Sequence, residues 1–497
     1  MCVLNGEVKQ LPEGDGPGVQ LRVYGDEFYA RHETLDGYAA IYDGALARYC
    51  YATLLDGEYL SSGVTLDRPA PTGIAPHLVE SVEVRSARFD RRIGNALPPD
   101  AFSGGEKPEV FGPNKGLLNG RQTNTGTVRG LTVLVNFADV QAAISTDEVS
   151  ALLNGENYSA YGNACSVRDY YLRMSSGMLD YSNVVLGPIT LSQKRQYYVD
   201  TLLAEEALSL LLEQGLDLAQ FDSRGESILD ALSFMYAGET LYEGWLWPHN
   251  HYLDWSHAGY QTNFYQITAL GLNPSNLKIG TFCHESGHML CRFPDLYDYG
   301  RRDEDNERSA GMGSYCLMSS GNHLGEGKIP APICAYLRYL TGWVRETVSL
   351  NTPARYAAKH GDYGTFYKYA TARPNEYFLV ENRSRLGLDL FSPGSGLAVY
   401  HCDINGSNEW QGNSSDRHYQ CGLLQADAAF SLERNENTGD DGDLYRMRSG
   451  EVLSDATTPG TRLWDGSESG LRLAEIGPDG EEISFVIEAA KAREALG

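Results

Sequence analysis

Residues 277–290 read LKIGTFCHESGHML and contain the pattern His-Glu-x-x-His, which runs from His284 to His288. Apolar residues lead into the pattern, so the segment is predicted to be a helix. Positions i and i+4 of a helix lie on one face, so His284 and His288 can direct a ring nitrogen at one metal ion. Glu285 lies beside them, within reach of a metal-bound water. The pattern predicts a zinc site with Glu285 as the general base that accepts the water proton, the arrangement that amide hydrolysis needs.

A third ligand is expected in the turn-forming sequence that follows this helix. The candidates there are Asp295 and Asp298, and a later helix would instead supply Glu304 or Glu307. Residues 301–307 read RRDEDNE, a composition typical of a solvated loop. A close turn therefore favours Asp295 as the third ligand.

A glycine-bounded turn lies further along the chain, where residues 311–321 read GMGSYCLMSSG. Its methionine, Met318, is placed as in the Met-turn beneath the zinc of metzincins. A methionine in a turn more often fills a core, so this feature is informative only together with the His-Glu-x-x-His pattern. Tyr297 or Tyr299 could also donate a hydrogen bond to the oxyanion of a tetrahedral intermediate.

The charge balance of the chain excludes one class of partner. Among 497 residues, 40 Lys and Arg stand against 66 Asp and Glu, for a net charge of −26. Such a chain repels polyphosphate unless it carries a segregated basic stripe, and none is visible, so no nucleic-acid partner is expected. No apolar run approaches the roughly 20 residues of a membrane-spanning helix, so no membrane span is expected.

The surplus of carboxylates fits a solvated surface, and it also fits oxygen-lined sites for calcium. Residues 440–443 read DDGD and follow Asn435, Glu436 and Asn437. This sequence packs oxygen ligands around a glycine turn without matching an EF-hand loop. A calcium loop and an ordinary polar loop both remain open here.

The nine cysteines are odd in number, scattered and free of CxxC pairs. This usage argues against a disulfide framework or a structural zinc knuckle. Most of the cysteines are predicted to be buried thiols.

The length favours several domains, and the composition divides the chain into three. Residues 1–110 have short alternating apolar runs, followed by a linker rich in proline and glycine, and are predicted to be a β-rich unit. Residues 111–348 mix strand and helix patterns around the metal-site helix. Residues 349–497 return to alternating runs and predict a second β-rich unit. Individual elements are predicted as strands at 19–24, 131–137, 377–381 and 397–401, and as helices at 167–174 and 201–213.

Two motifs, HESGHMLCRFPDLYDYG at residues 284–300 and GSYCLMSSG at residues 313–321, resemble the peptidase M6 family, the immune-inhibitor-A-like zinc metalloproteases of bacteria. Other stretches are also similar to the family, and GDEFY with ETLDGY resembles its N-terminal propeptide-like region. These stretches are GDEFY at 25–29, ETLDGY at 33–38, SVRDYY at 166–171, LWPH at 246–249, YFLVENR at 377–383 and PGSGL at 393–397.

The resemblance implies an α+β fold with a zincin- or metzincin-like catalytic domain, flanked by β-rich N-terminal and C-terminal units. It implies a zinc-dependent metalloendopeptidase that hydrolyses peptide bonds of protein or peptide substrates. Zinc would be held by His284, His288 and Asp295, Glu285 would serve as general base and acid, and Met318 would lie beneath the site. The N-terminal unit would cover the cleft until it is removed. The resemblance also implies a secreted, extracellular protein, although residues 1–9 carry no basic segment followed by an apolar stretch.

The sequence departs from the family pattern after the second histidine. In that pattern a glycine follows the histidine by three residues and the aspartate by six. Here Cys291 takes the place of the glycine, and Asp295 lies seven residues after His288. The loss of the glycine removes the usual residue for a left-handed turn at that position.

Two further functions remain open. One is a catalytically inactive binding or adhesion protein on a zincin scaffold, which the altered loop around Cys291 would suit. The other is a cytoplasmic peptidase or maturation enzyme, which the absence of an export signal in residues 1–9 permits.

Overall fold

The computed structural model describes residues 3–13, 18–96, 116–242, 244–300, 308–409, 418–447 and 452–489. The fold is mixed α+β, as the sequence predicts. Its α-helices are α1 (Val82–Ala96), α2 (Thr146–Asn154), α3 (Val167–Met174), α4 (Leu202–Glu213), α5 (Gly280–Cys291) and α6 (Ala335–Leu340).

The N-terminal part forms a six-stranded antiparallel sheet whose strands follow one another in chain order. The strands are β1 (Leu4–Leu11), β2 (Val19–Gly25), β3 (Ala30–Glu33), β4 (Ala39–Asp43), β5 (Arg48–Leu55) and β6 (Glu58–Thr65). Strand β2 confirms the strand predicted at 19–24. Its alternating residues Leu21 and Val23 are fully buried, and they belong to a core that also contains Trp247 from the central region.

The central sheet has five strands in the order β10-β11-β9-β7-β8. They are β7 (Gly126–Asn136), β8 (Leu179–Thr190), β9 (Leu232–Ala237), β10 (His249–His257) and β11 (Tyr260–Gly271). Four of them are parallel, and β10 pairs antiparallel with β11 at one edge.

Strand β7 is buried on both faces. Leu131, Val133 and Val135 pack in one apolar core with α4, whereas Val128 and Leu134 pack in the core that contains α5. Successive side chains of a strand point to opposite faces, so a run that is apolar at every position suits a sheet covered on both sides. The strand predicted at 131–137 is confirmed by β7, and the helices predicted at 167–174 and 201–213 are confirmed by α3 and α4.

The C-terminal part consists of two sheets that share one apolar core, which includes Phe378, Val399 and Phe485. Burying one face of each sheet against the other is the usual packing of a β-sandwich. Strands β15 and β16 confirm the strands predicted at 377–381 and 397–401. The first sheet contains β12 (Glu346–Ser349), β14 (Thr365–Ala370), β15 (Glu376–Asn382), β16 (Leu397–Asp403) and β17 (Cys421–Leu423), and the second contains β13 (Ala354–Lys359), β18 (Val452–Leu453), β19 (Leu473–Ala474) and β20 (Glu482–Ile487).

The predicted division into three units has two boundaries, which can be compared with the positions of the strands. The boundary at 110/111 lies outside the described residues. The boundary at 348/349 falls inside β12, which pairs in parallel with β14, so the first C-terminal sheet already begins at Glu346. The division itself stays a prediction.

Two further expectations concern the whole chain. None of the helices described here is long and apolar enough to cross a membrane. The eight cysteines within the described ranges are all buried and none forms a disulfide, which confirms the predicted buried thiols for these eight.

Candidate metal centre

Helix α5 places the His-Glu-x-x-His pattern inside the protein. The helix packs against β10 and β11, and the Ser286 hydroxyl donates a hydrogen bond of 3.2 Å to Gln266 Oε1 of β11. On the other side, the Tyr171 hydroxyl of α3 donates to the carbonyl of Cys283 at 2.5 Å. His284, Glu285 and their neighbours on α5 are buried as a result.

Two glycines let other segments approach α5 closely. A Cβ at Gly280 would lie 2.0 Å from the carbonyl oxygen of Asn322, and a Cβ at Gly287 would lie 2.7 Å from Met318 Sδ. At Gly280 the contact is with backbone, so only glycine fits, whereas a Cβ at Gly287 would push the Met318 side chain away. Met318 therefore packs against α5 at Gly287, the residue before His288.

Three potential ligand atoms converge at this helix. His284 Nε2 lies 3.1 Å from His288 Nε2, and Asp295 Oδ1 lies 3.2 Å from the first nitrogen and 3.5 Å from the second. A tetrahedral zinc ion with ordinary bond lengths keeps its ligand atoms about 3.3 Å apart. The spacing of the three donors therefore suits a zinc ion.

Backbone carbonyls fix the orientation of both imidazoles. His284 Nδ1 donates to the Leu317 carbonyl at 2.7 Å, and His288 Nδ1 donates to the Phe293 carbonyl at 2.6 Å. Because a carbonyl only accepts, the proton of each neutral ring is assigned to Nδ1, and Nε2 carries a lone pair. Two lone pairs and a carboxylate oxygen repel one another at these distances unless a cation lies among them. The donor set thus fits a metal ion.

The electrostatics of the site favour the ligand forms of these side chains. Burial lowers the pKa of His284 and of His288 against the opposing influence of Asp295, so both rings are neutral at pH 7. Burial alone would raise the pKa of the Asp295 carboxyl, but at low pH, where His288 and His284 are protonated, their charge and hydrogen bonds hold that pKa well below its usual range, so Asp295 is ionised at pH 7. Tyr299 donates its hydroxyl proton to Asp295 Oδ2 at 2.7 Å. That bond fixes the carboxylate, and it gives Tyr299 a contact other than the predicted oxyanion.

Glu285 is fully buried beside the two histidines. One of its carboxylate oxygens and one ring nitrogen of each histidine lie within 4.8 Å of one another. A single water molecule can span a separation of this size, which is the arrangement that a general base requires.

Asp298, another candidate for third ligand, makes a different contact. Asp298 Oδ1 accepts a hydrogen bond of 2.8 Å from the backbone amide of Gly300. Glu304 and Glu307 lie outside the described residues. Among the candidates whose side chains are described, Asp295 is the one that meets both histidines.

The extra residue before Asp295 is absorbed at the end of α5. The helix continues through Cys291, and the left-handed residue is Arg292, with φ 55° and ψ 36°. A non-glycine residue in this conformation costs about 1 kcal/mol. Arg292 offsets that cost by donating to the carbonyls of Asn119 (2.9 Å) and His288 (3.1 Å) and by lying 4.0 Å from the centroid of the Phe264 ring. The left-handed turn therefore forms at Arg292, one residue after the position where the family pattern has its glycine.

The N-terminal sheet contributes a loop to this region that sequence reasoning missed. Between β2 and β3, the Phe28 ring lies 5.1 Å from the Tyr299 ring, and Asp26 Oδ2 lies 3.2 Å from Arg308 Nη2. Residues 25–29 are one of the stretches that resemble the peptidase family, but their position near the candidate metal centre depends on tertiary packing.

Glu27, in the same loop, is 1% exposed, and neither of its carboxylate oxygens accepts a hydrogen bond from the described residues. Burial raises the pKa of Glu27 well above its usual value, and the negative charges of Asp26, Asp295 and Glu285 raise it further. The four carboxylates therefore share one buried region. A cation at the metal centre would offset their mutual repulsion.

No protein-family model and no curated protein matches the chain. The chemistry of this centre is therefore inferred from its residues and their geometry.

Proposed function

We propose that the chain is a zinc-dependent metalloendopeptidase of zincin or metzincin type, similar to the immune-inhibitor-A-like peptidases. The observation that carries the proposal is the convergence of His284 Nε2, His288 Nε2 and Asp295 Oδ1 within 3.5 Å, with Glu285 beside them. Nitrogen and carboxylate ligands of this number leave one position open on a tetrahedral zinc ion, which is typical of catalytic rather than structural sites.

The residues of the site have separate roles on this proposal. When bound, zinc supplies Lewis-acid activation of a water molecule and of the substrate carbonyl. Glu285 accepts the proton of the attacking water at a carboxylate oxygen and later donates it to the leaving amine. The carbonyls of Leu317 and Phe293 orient the two imidazoles, and Tyr299 orients Asp295. The burial of these groups excludes bulk water and strengthens their interactions.

The N-terminal sheet serves as a cover in this proposal. Its β2–β3 loop lies against Tyr299 through Phe28, and it places Glu27 near Asp295 and Glu285. A substrate that reaches the metal centre has to displace this loop. The chain with its cover in place is therefore a latent form, and removal of the N-terminal unit opens the cleft to protein or peptide substrates outside the cell.

Metal analysis combined with casein hydrolysis tests the proposal. The wild type and Glu285→Gln are compared before and after limited proteolysis of the N-terminal unit. The expected result is stoichiometric zinc in both proteins and hydrolysis by the cleaved wild type alone, with a loss of about 10²- to 10⁴-fold in the variant. Glu285→Gln keeps the size of the side chain and leaves the three ligands intact, so it separates catalysis from metal binding.

The same experiment tests the alternative function, a catalytically inactive binding or adhesion protein. Bound zinc without Glu285-dependent hydrolysis would overturn the peptidase and favour that alternative, whereas failure to bind equimolar zinc would overturn the metal centre itself. The alternative rests on the changed loop around Cys291. Because Asp295 still lies next to both histidines, the changed loop no longer favours the inactive binding protein.

A further inference from the structure

Three aspartates from two turns meet between β17 and β18. Asp427, Asp440 and Asp443 each offer a carboxylate oxygen, and these atoms lie within 4.8 Å of one another. Within the part of the chain that the structure describes, no lysine or arginine forms an ion pair with any of the three. Like charges gathered in this way repel one another unless a cation joins them.

The composition of this cluster differs from the loop predicted at 440–443. Asp441 points away from it, because its carboxylate binds Arg446 Nη2 at 2.6 Å and Arg385 Nη2 at 3.2 Å. Asp427 from the preceding turn takes its place. The two turns are joined by a hydrogen bond of 2.8 Å from the Ala426 amide to the Asp443 carbonyl.

Asp443 provides an independent sign of a ligand. Its side chain is fully buried. Oδ2 accepts hydrogen bonds from the Asp440 amide at 2.7 Å and from the Tyr315 hydroxyl at 2.9 Å, but Oδ1 has no hydrogen-bond partner among the described residues. A buried carboxylate oxygen without a partner is costly. Burial, together with the nearby charges of Asp440 and Asp427, raises the pKa of Asp443 to about 6.

The shape of the site is set by a glycine. A Cβ at Gly442 would lie 2.5 Å from Asp427 Oδ2, so a larger residue there would displace the Asp427 carboxylate from the cluster. Asp427 is exposed, which leaves one side of the cluster open to water. Oxygen-only donors, an irregular arrangement and access for water molecules suit calcium, whereas magnesium demands a near-ideal octahedron.

We propose that Asp427, Asp440 and Asp443 form a calcium site that anchors the loop beneath the candidate zinc centre. The connection runs through Tyr315, whose hydroxyl contacts Asp443 Oδ2, and through Ser314, whose amide donates to the Thr438 carbonyl at 2.7 Å. Two residues after Tyr315, the Leu317 carbonyl accepts the hydrogen bond from His284 Nδ1. Calcium at the cluster therefore stabilises the segment that orients a zinc ligand. The calcium site is independent of whether the protein is a peptidase.

Calcium titration of the metal-free full-length protein tests this site. Isothermal titration calorimetry with Ca²⁺ alone is expected to show one site in the wild type, and Ca²⁺ is expected to raise the thermal unfolding temperature. Asp443→Asn is expected to weaken Ca²⁺ binding at least about tenfold and to lose the rise in unfolding temperature. Asp441→Asn is the matched control, because it removes a carboxylate of the same loop that lies outside the cluster.

A second variant guards against misfolding of Asp443→Asn. Asp427→Asn changes an exposed ligand, so the fold is retained, and it is expected to weaken Ca²⁺ binding by a similar factor. Wild-type protein that neither binds Ca²⁺ nor gains stability from it would overturn the proposal. An Asp441→Asn variant that loses binding as strongly as Asp427→Asn, or tighter binding of Mg²⁺ than of Ca²⁺, would overturn it as well.

Discussion

The carbonyl oxygen of Leu317 accepts a hydrogen bond of 2.7 Å from Nδ1 of His284. This contact joins the loop that contains Met318 to helix α5, and it turns the opposite nitrogen of the imidazole toward His288 and Asp295. The orientation of the ligand therefore depends on a loop outside the helix.

Asp295→Asn is expected to weaken zinc binding by at least about tenfold, because an amide is a poorer zinc ligand than a carboxylate. Zinc content after dialysis against a metal buffer measures the effect. Asp298→Asn is the matched control, since Asp298 contacts the Gly300 amide. Equal zinc loss in both variants would contradict the assignment of Asp295 as the ligand.

Tyr299→Phe removes the hydroxyl that donates to Asp295 Oδ2 and keeps the ring that packs against Phe28. We expect zinc affinity to fall about 10- to 100-fold, the usual effect of removing a hydrogen bond to a metal ligand. The unfolding temperature of the metal-free protein should fall as well, because Asp295 Oδ2 loses its buried donor. Competition with a zinc-binding dye measures the affinity. An unchanged affinity would mean that Tyr299 does not position Asp295.

Glu27→Gln is expected to stabilise the metal-free protein and to loosen the N-terminal cover of the zinc-loaded protein. In the metal-free protein it removes a carboxyl whose ionisation is disfavoured by burial and by the neighbouring carboxylates, so the unfolding temperature should rise. In the zinc-loaded protein it removes an anion near the cation, so the cover should loosen and casein hydrolysis by the uncleaved chain should increase. Glu58→Gln, on the same sheet but exposed, is expected to change neither quantity. If Glu27→Gln stabilised the N-terminal cover both without and with zinc, or loosened it in both states, the placement of Glu27 near the candidate metal centre would be contradicted.

Acid is expected to loosen the N-terminal sheet through His32. Burial lowers the pKa of His32 to about 4 from 6.5, and its Nε2 lies 3.2 Å from the carbonyl of Tyr242 in the central region. The unfolded state binds the proton more tightly, so the stabilisation is complete above pH 6.5 and is lost as the pH falls toward 4, by about 2 kcal/mol at pH 5.

Limited proteolysis between pH 7 and pH 5 measures this loss, with cleavage of the N-terminal unit expected to become faster at pH 5. His32→Phe should reduce the pH dependence. His257→Gln, an exposed histidine of β10, should leave it unchanged. If the cleavage rate of His32→Phe depended on pH as strongly as that of the wild type, another titratable group would be responsible.

Local pattern made the central features of the site predictable. The spacing of His284 and His288 requires only a helix, and the apolar run at 131–137 requires only a sheet covered on both faces. The contact between Asp295 and the histidines is less local, because the longer turn reaches them only with Arg292 in a left-handed conformation. Glu27 was not predictable, since its place over the centre follows from how a separate sheet packs. The order of the strands in the central sheet was likewise not predictable. It depends on the crossover connections between parallel strands, which the hydrophobic periodicity and the composition of the sequence do not specify.

Trp247 belongs to the central region of the chain, yet it is fully buried in the core of the N-terminal sheet, together with Leu21 and Val23. Departure of that sheet would transfer the indole ring to water, and its fluorescence emission would shift to longer wavelength. The indole ring is therefore an intrinsic optical reporter of whether the N-terminal sheet is in place, which can be read in real time without a label or a substrate.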